Sequence, residues 1–182
     1  MRLKPSSYLV LGMINLGHQT GYAVKRSVDH STRFFWAASL AQVYPELAAL
    51  EEGGYVVSTE DPHGARPRKA YRLTDRGRAA LDEWLRSEPV PDFEFRDEGL
   101  LRLFFADALP DDDAIELVRR LRARAEENER AFHDRILPLA QAASGRFLLI
   151  AARQGAAYHS WRAGWFRELE RELADELQAR RR

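Results

Sequence analysis

The chain has 182 residues, of which 45% are hydrophobic and 31% are charged, so it can bury a core in one domain or two small ones. Its 28 basic and 28 acidic residues cancel, which excludes a uniformly basic protein but not a local basic patch. The chain has no apolar run of about 18 residues, no cleavable signal sequence and no cysteine, so we expect a soluble cytoplasmic protein without disulfides or thiolate chemistry.

Capping residues predict the first two helices. Gly17 supplies the stop for a first helix with apolar residues at helical spacing, and Thr20 can cap a second. In the second helix Tyr22 lies on the apolar side, while Lys25 and Arg26 are basic. These two cations either contact a nucleic-acid backbone or are simply solvated.

The third helix is the most informative element. Ser39 and Gln42 stand three residues apart and predict a capping box. The face predicted to be buried carries Leu40, Val43, Tyr44, Leu47 and Leu50. The opposite face carries Ala38, Gln42, Pro45, Glu46 and Ala49. Such small or hydrogen-bonding residues favour insertion into a DNA major groove, about 12 Å wide. Gln42 either reads adenine through its amide or only completes the cap.

Alternation of period two then predicts a β-hairpin with a turn at residues 61–64, followed by a helix capped by Thr74. The side chains expected to pack on the helices are Tyr55, Val57, Tyr71 and Leu73. The basic residues near the turn, which either contact phosphates or are solvated, are Arg66, Arg68, Lys69 and Arg72. A helix followed by such a hairpin is typical of a recognition helix and its wing.

The composition changes after Arg86, which predicts a domain boundary. Residues 87–95, SEPVPDFEF, resemble an extended connector, and the chain beyond them is predicted to be helical. The dense apolar run at 100–105 predicts burial on most sides. A final helix from about Gly145 to Gln178 needs cover, which favours a second copy of the chain. The alternative is an intramolecular helical hairpin.

Two groups of residues follow from these helices. The predicted dimerisation residues are Leu121, Phe132, Trp165, Leu169 and Leu173. The aromatic residues that either form core or stack on a small aromatic effector are Phe104, Phe105, Tyr158, Trp161 and Trp165.

Sequence signatures of catalysis and of metal or cofactor binding are not found. The five histidines are scattered, and there is no phosphate loop, H-E-x-x-H or G-x-S-x-G. We therefore predict a protein that is not an enzyme and uses no cofactor.

Three stretches carry a family resemblance: TGYAVKR, FWAASLAQVYPELAALEEGGYV and PRKAYRLTDRGRAALDEWL. They resemble the PadR family of bacterial transcriptional regulators, and RDEGLLRLFFADAL with YHSWRAGWFRELERELADEL is more loosely similar to its larger branch. The resemblance implies a mainly α fold with a small β-hairpin. It implies a winged helix-turn-helix in residues 1–86, a linker at 87–95 and a helical dimerisation domain at 96–182. It places DNA contacts at Tyr22, Ser39, Gln42, Tyr44, Arg66, Arg68 and Lys69.

Together these observations predict a homodimeric, sequence-specific DNA-binding regulator, a repressor relieved by a small aromatic or other hydrophobic effector. A symmetric dimer implies an inverted-repeat operator in double-stranded DNA. Two alternatives stand beside this hypothesis. One is a winged-helix module that binds only proteins, and the other is a MarR-like regulator, a class that places helices before the winged domain as well as after it.

Overall fold

The computed structural model describes residues 3–61, 68–87, 96–143 and 145–180, and the chain divides into two compact units, residues 1–92 and 93–182. The regular structure of the described residues is helical apart from one two-stranded antiparallel hairpin. The predicted fold class, mainly α with a small β-hairpin, is confirmed. Among the helices in the described part of the chain, none is both long and apolar enough to cross a bilayer.

The N-terminal unit contains four helices and the hairpin. Its elements are α1 (Pro5–Asn15), α2 (Gly21–His30), a 3-10 turn (Thr32–Phe34), α3 (Leu40–Glu52), β1 (Val56–Asp61), β2 (Arg68–Leu73) and α4 (Asp75–Leu85). The predicted caps are present: Ala23 N–H donates to Thr20 Oγ1 at 3.1 Å, and Gly77 N–H donates to Thr74 Oγ1 at 3.0 Å. Gly17 ends α1 at φ +94°, a conformation that glycine adopts without strain.

One core joins the four helices to the hairpin. It contains Val10, Leu11, Met13, Ile14, Val24, Val28, Val43, Leu47, Leu50, Tyr55, Val56, Tyr71, Leu73 and Leu81. Because α1, α2 and β1 all contact α3, this core fixes which side of α3 is turned outward.

The buried face of β1 differs from the predicted one by one residue. Val56 pairs with Leu73 and faces the core, whereas Val57, predicted to pack on the helices, is 45% exposed. The reason is that Tyr55 precedes the strand: its N–H donates to Leu50 O at 2.9 Å, in the turn that closes α3. Strand alternation therefore starts at Val56.

Close backbone contact fixes the start of α4 against the end of α3. Thr74 N–H donates to Tyr55 O at 3.1 Å, and its hydroxyl donates to Gly54 O at 2.8 Å. Gly77, one turn later, lies so near the Tyr55 carbonyl that a Cβ there would overlap the oxygen. Only glycine fits this approach.

The C-terminal unit is a helical hairpin with short flanking elements. It comprises α5 (Glu98–Phe104), a 3-10 turn (Ala106–Ala108), α6 (Asp111–Ala131), a π-helical turn (Phe132–Ile136), α7 (Leu137–Ala142) and α8 (Arg146–Arg180). Helices α6 and α8 are antiparallel, since Arg180 pairs with Asp111 at one end and His159 stacks on Phe132 at the other. Their buried contact is formed by Val118, Ala125, Ala163 and Phe166. The intramolecular hairpin weighed as an alternative is therefore present.

The prediction that residues 100–105 are buried on most sides is wrong. Phe104 is 77% exposed, and Leu100, Leu101 and Phe105 are also exposed. Leu103 packs against the α6–α8 contact. The physical reason is that α5 is a single helix of seven residues lying on the hairpin, and no described residue covers the apolar side chains on its other sides.

Candidate nucleic-acid and subunit interfaces

The outward face of α3 is apolar and uncharged along its first three turns. Its exposed residues between 40 and 50 are Leu40, Ala41, Gln42, Tyr44, Pro45 and Ala48. The inward face is set by three fully buried side chains, Val43, Leu47 and Leu50. A solvent-facing helix normally carries several charges on its outer side. The first charged residue exposed on α3 is Glu52, at its C-terminal end.

This outward face is rotated from the one predicted. Leu40 and Tyr44, predicted to be buried, are 42% and 51% exposed. Glu46, predicted to face outward, instead accepts hydrogen bonds from Ser6 Oγ at 2.8 Å and Ser7 Oγ at 2.7 Å on α1. These two hydroxyls draw the carboxylate inward, which turns Tyr44 toward solvent.

The amide of Gln42 is engaged at the N-terminus of α3. Its Oε1 accepts from Ser39 N–H at 2.8 Å and from Ser39 Oγ at 3.2 Å, which is the glutamine half of the predicted capping box. Pairing with adenine requires Oε1 to accept from the adenine amino group while Nε2 donates. The cap therefore competes with that use of the oxygen.

Tyr44 connects α3 to the start of α2. A Cβ at Gly21 would lie 2.5 Å from Tyr44 Cε1, so the tyrosine ring rests directly on a position that has no side chain. Tyr22, the next residue, is exposed. Two predicted DNA-contacting tyrosines thus lie near the junction of the two helices of the helix-turn-helix.

Lys69 ties the hairpin to α3. Its Nζ donates to Glu51 Oε2 at 2.9 Å, and the same carboxylate accepts from Ser58 Oγ. The hydrogen bond from Ser58, followed by that from Lys69, lowers the pKa of Glu51, and the hydrogen bond to Glu51 raises the pKa of Lys69. The sequence analysis did not single out Glu51, although its place two residues before Gly53 would put it beside β1.

The other predicted cations are placed only in part. Lys25 is paired with Asp29 one turn later on α2. Arg66 lies outside the described residues, and for Arg68 the structure describes only the backbone, in β2. Arg72 is exposed on β2.

An exposed apolar stripe runs along α8, opposite its buried side. It consists of Phe147, Ile150, Trp161 and Trp165, with Tyr158 half-buried between them. These positions share one helix face, whereas Ala152, Ala156, His159, Ala163 and Phe166 occupy the face turned to the interior. We call this exposed set the α8 stripe. The sequence analysis singled out its tryptophans but missed Phe147 and Ile150.

Most of the predicted dimerisation residues pack inside the chain. Phe132 is buried against Gly155 and His159, and the leucines Leu121, Leu169 and Leu173 pack on the α6–α8 contact. Trp165 belongs to the α8 stripe. Helical spacing identified the apolar faces of α8. It did not show which face packs within the chain and which face is exposed.

Four of the five aromatic residues named as effector contacts are exposed, and the fifth, Tyr158, is half-buried. Phe104 and Phe105 meet edge to face with ring centroids 5.0 Å apart, and Tyr158 and Trp161 are 6.0 Å apart. The reading of these residues as core is wrong for Phe104, Phe105 and Trp161, the last of which is 62% exposed.

An ion pair missed by the sequence analysis anchors α5 to α8. Asp97 caps α5 by accepting from Leu100 N–H at 3.1 Å, and its other oxygen pairs with Arg162. The Arg162 guanidinium also lies 5.1 Å from the Phe166 ring centroid. One arginine therefore sets where the apolar residues of α5 are presented.

Two family models match the chain, one on each unit. Residues 10–83 match the transcriptional regulator PadR-like family, and residues 95–174 match the virulence activator alpha C-terminal domain. The first match assigns residues 10–83 to the PadR-like family. The second match fits the larger branch of the family, as the sequence motifs predicted.

Two curated relatives match parts of the chain. The negative transcriptional regulator PadR of Bacillus subtilis is 32% identical over 114 residues, which is 62% of this chain and 62% of the relative. A probable transcriptional regulator of Mycobacterium tuberculosis is 36% identical over 72 residues, 39% of this chain and 38% of the relative. In both cases the match spans less than two thirds of the relative's length.

Solved structures share the fold over nearly the whole chain. A PadR-like transcriptional regulator from Bacillus cereus has a TM-score of 0.82 at 20% identity, covering 94% of this chain and 99% of that one. Bacillus subtilis PadR in complex with operator DNA has a TM-score of 0.77 at 22% identity, with coverage of 92% and 98%. The same regulator in complex with p-coumaric acid has a TM-score of 0.71 at 20% identity, with coverage of 95% and 99%.

Proposed function

We propose that this chain is a homodimeric, sequence-specific DNA-binding transcriptional regulator. The observation that carries the proposal is the uncharged outward face of α3, held by one core to the other helices and the hairpin. A helix that enters a major groove profits from small outer side chains, and a hairpin beside it can contact the phosphates. On this proposal residues 1–86 form the DNA-binding domain, with β1 and β2 as its wing.

The DNA contacts divide by chemistry. Phosphate contacts come from Lys25, Arg66, Arg68 and Lys69, and contacts near the base edges come from Tyr22, Ser39, Gln42 and Tyr44. Lys69 is 57% exposed despite its ion pair, so its ammonium keeps a side open to a second anion. The Glu51 carboxylate that holds it also fixes where the wing lies beside α3.

A second copy of the chain covers the α8 stripe. From Phe147 to Trp165 the stripe is about 27 Å long, and an exposed surface rich in large apolar side chains supports an interaction site there. A symmetric contact places the same stripe of both copies together. Residues 96–182 then form the dimerisation domain, and the operator is an inverted repeat whose half-site centres are about 10 base pairs, or a multiple, apart.

Regulation is proposed as repression relieved by a small aromatic effector. The repressor role is supported by the name of the Bacillus subtilis relative, and the effector class by the structure of that relative with p-coumaric acid. In this chain Phe104 and Phe105 are exposed and lie outside the α8 stripe, so their rings can stack on such a compound in the dimer. Adding p-coumaric acid to the DNA complex should then weaken it, because the effector favours one separation of the two recognition helices over another.

The proposal is tested with the DNA immediately upstream of the encoding gene, in a gel shift at low salt. We expect a retarded complex that contains two chains. Random DNA added as a competitor should displace the operator poorly. If each protomer neutralises about four phosphates, the slope of log K against log salt is roughly −7. Absence of binding to this DNA and to bulk genomic fragments would contradict the proposal and favour a module that binds only proteins.

Two variants distinguish contacts to the phosphates from contacts to the bases. Arg68→Ala should weaken binding to operator and random DNA alike, because a phosphate contact carries no sequence information. Gln42→Ala should instead change the preferred sequence. Equal losses on operator and random DNA for Gln42→Ala would leave this residue with its capping role only.

A further inference from the structure

The N-terminal turns of α3 offer little hydrogen-bonding capacity to a base pair. Gln42 Oε1 accepts both Ser39 N–H and Ser39 Oγ, so the cap occupies this acceptor and the serine hydroxyl together. Tyr44 leans on Gly21 at the start of α2. Of the groups in the cap, the Gln42 amide nitrogen is the one that can still donate a hydrogen bond to a base edge.

Apolar groups dominate what remains exposed there. Leu40, Ala41 and Pro45 are exposed in the first two turns, and Ala48 follows one turn later on the same side. None of these side chains can donate to or accept from a base. A helix face of this composition can gain from contact with a base only where the base itself presents carbon.

In the major groove that group is the C5 methyl of thymine, since the other edges present donors and acceptors. We propose that Leu40 and Ala41 select the operator by burying a thymine methyl in each half-site. The inference rests on the proposed DNA-binding function and specifies what α3 reads. On this inference Leu40 and Ala41 provide most of the discrimination between base pairs. The amide N–H donor of Gln42 adds only a supporting contact.

The probe is a duplex selected by the full chain from a random pool of about 30 base pairs, long enough for two half-sites. We expect an enriched inverted repeat with at least one invariant thymine per half-site. Rebuilding this duplex with deoxyuridine at that thymine removes one methyl group and leaves every hydrogen bond in place. Affinity should fall about fourfold for one half-site and about 15-fold for both, which is the value of one buried carbon per half-site.

A second substitution restores the methyl on a different base pair. Replacing the thymine pair by a cytosine pair should weaken binding, and 5-methylcytosine at that position should recover about fourfold of the loss. Equal binding by the cytosine and 5-methylcytosine duplexes would contradict methyl recognition.

The protein side of the contact is tested with Leu40→Ala. This side chain is 42% exposed, so its truncation leaves the core of the N-terminal unit intact. In the variant, replacement of thymine by deoxyuridine should change affinity by less than about twofold, because the partner carbon atoms are missing. Leu85→Ala, which shortens an exposed leucine on α4, is the matched control and should keep the full sensitivity.

The outcomes separate this inference from the proposed function. An enriched repeat that binds equally well with thymine and with deoxyuridine overturns methyl recognition while DNA binding stands. An enriched repeat without an invariant thymine does the same. A pool that yields no enrichment, from a chain that also ignores genomic fragments, overturns both.

Discussion

The two units of the chain differ in where their exposed apolar residues lie. The N-terminal unit packs its four helices and hairpin around one core, and its exposed large apolar side chains, such as Phe35, Tyr44 and Leu85, lie on several different elements. The C-terminal unit leaves large aromatic residues of α5 and α8 in solvent, although its two long helices already pack on each other. In the second unit the exposed residues Phe147, Ile150, Trp161 and Trp165 share one face of α8, which supports the proposed subunit contact there.

The largest expected effect is on the α8 stripe. Trp161→Asp places a carboxylate in the middle of the proposed subunit contact, once in each copy. Because desolvating an unpaired charge is costly, and tryptophans carry much of the energy of interfaces, dimerisation should weaken by at least about 100-fold. Sedimentation equilibrium of the full chain measures this directly.

The control introduces a carboxylate elsewhere on α8, with a larger change of net charge. Arg153 is exposed and lies off the stripe, so Arg153→Asp should leave the dimer within about threefold of the original affinity. Equal weakening by both variants, or by neither, would remove the stripe from the subunit contact.

A smaller effect is expected in the core of the N-terminal unit. Gly77→Ala inserts a Cβ into the Tyr55 carbonyl oxygen, so α4 must move away from the end of α3. We expect the free energy of unfolding of this unit to fall by about 2–3 kcal/mol. Denaturant unfolding followed by circular dichroism is the measurement.

Gly12 provides the matched control, because it is also a helical glycine but has nothing within 4 Å of its would-be Cβ. Gly12→Ala should stabilise the unit by about 0.5–1 kcal/mol through helix propensity. If Gly77→Ala proved as stable as Gly12→Ala, the close approach of α4 to Tyr55 would be wrong.

The smallest expected effect is on the pH dependence of stability, which should differ between the two units. Burial, reinforced by the charge of Arg162, lowers the pKa of His159 below its ordinary value of 6.5. The unfolded chain then binds the proton more readily, so the C-terminal unit loses stability as pH falls below about 6.5, by less than about 1.4 kcal/mol per pH unit. The pKa of Glu51 in the N-terminal unit is also lowered, from 4.5, so its contribution is lost only in more acidic solution.

Hydrogen exchange at pH 7.5 and pH 5.5 resolves the two units. Protection of α8 should decrease at the lower pH while that of α3 stays the same, and His159→Gln should abolish the difference. An equal response of both helices would show that His159 is not the group responsible.

Local rules predicted much of the fold because they act within a few residues. The caps at Thr20 and Thr74 and the stop at Gly17 are read from adjacent residues, and the structure has them. The strand face of β1 was misplaced because a hydrogen bond from Tyr55 to Leu50 extends the turn after α3 by one residue. Sequence alternation alone does not show where a strand begins.

The surfaces were harder to predict because they depend on distant partners. Glu46 is turned inward by Ser6 and Ser7, some 40 residues earlier in the chain. On α8 both helix faces carry apolar residues, and the elements that pack on it, chiefly α6, decide which face is covered. The residues of the DNA contact itself therefore stay a prediction, with the outward face of α3 now defined.

The most direct test of the account is a hydroxyl-radical footprint of the full chain on the duplex it selects, combined with the mass of the complex. The account predicts two chains per duplex and two protected regions centred about 10 base pairs, or a multiple, apart on an inverted repeat. A single chain on a single protected region, or no protection at low salt, would contradict it.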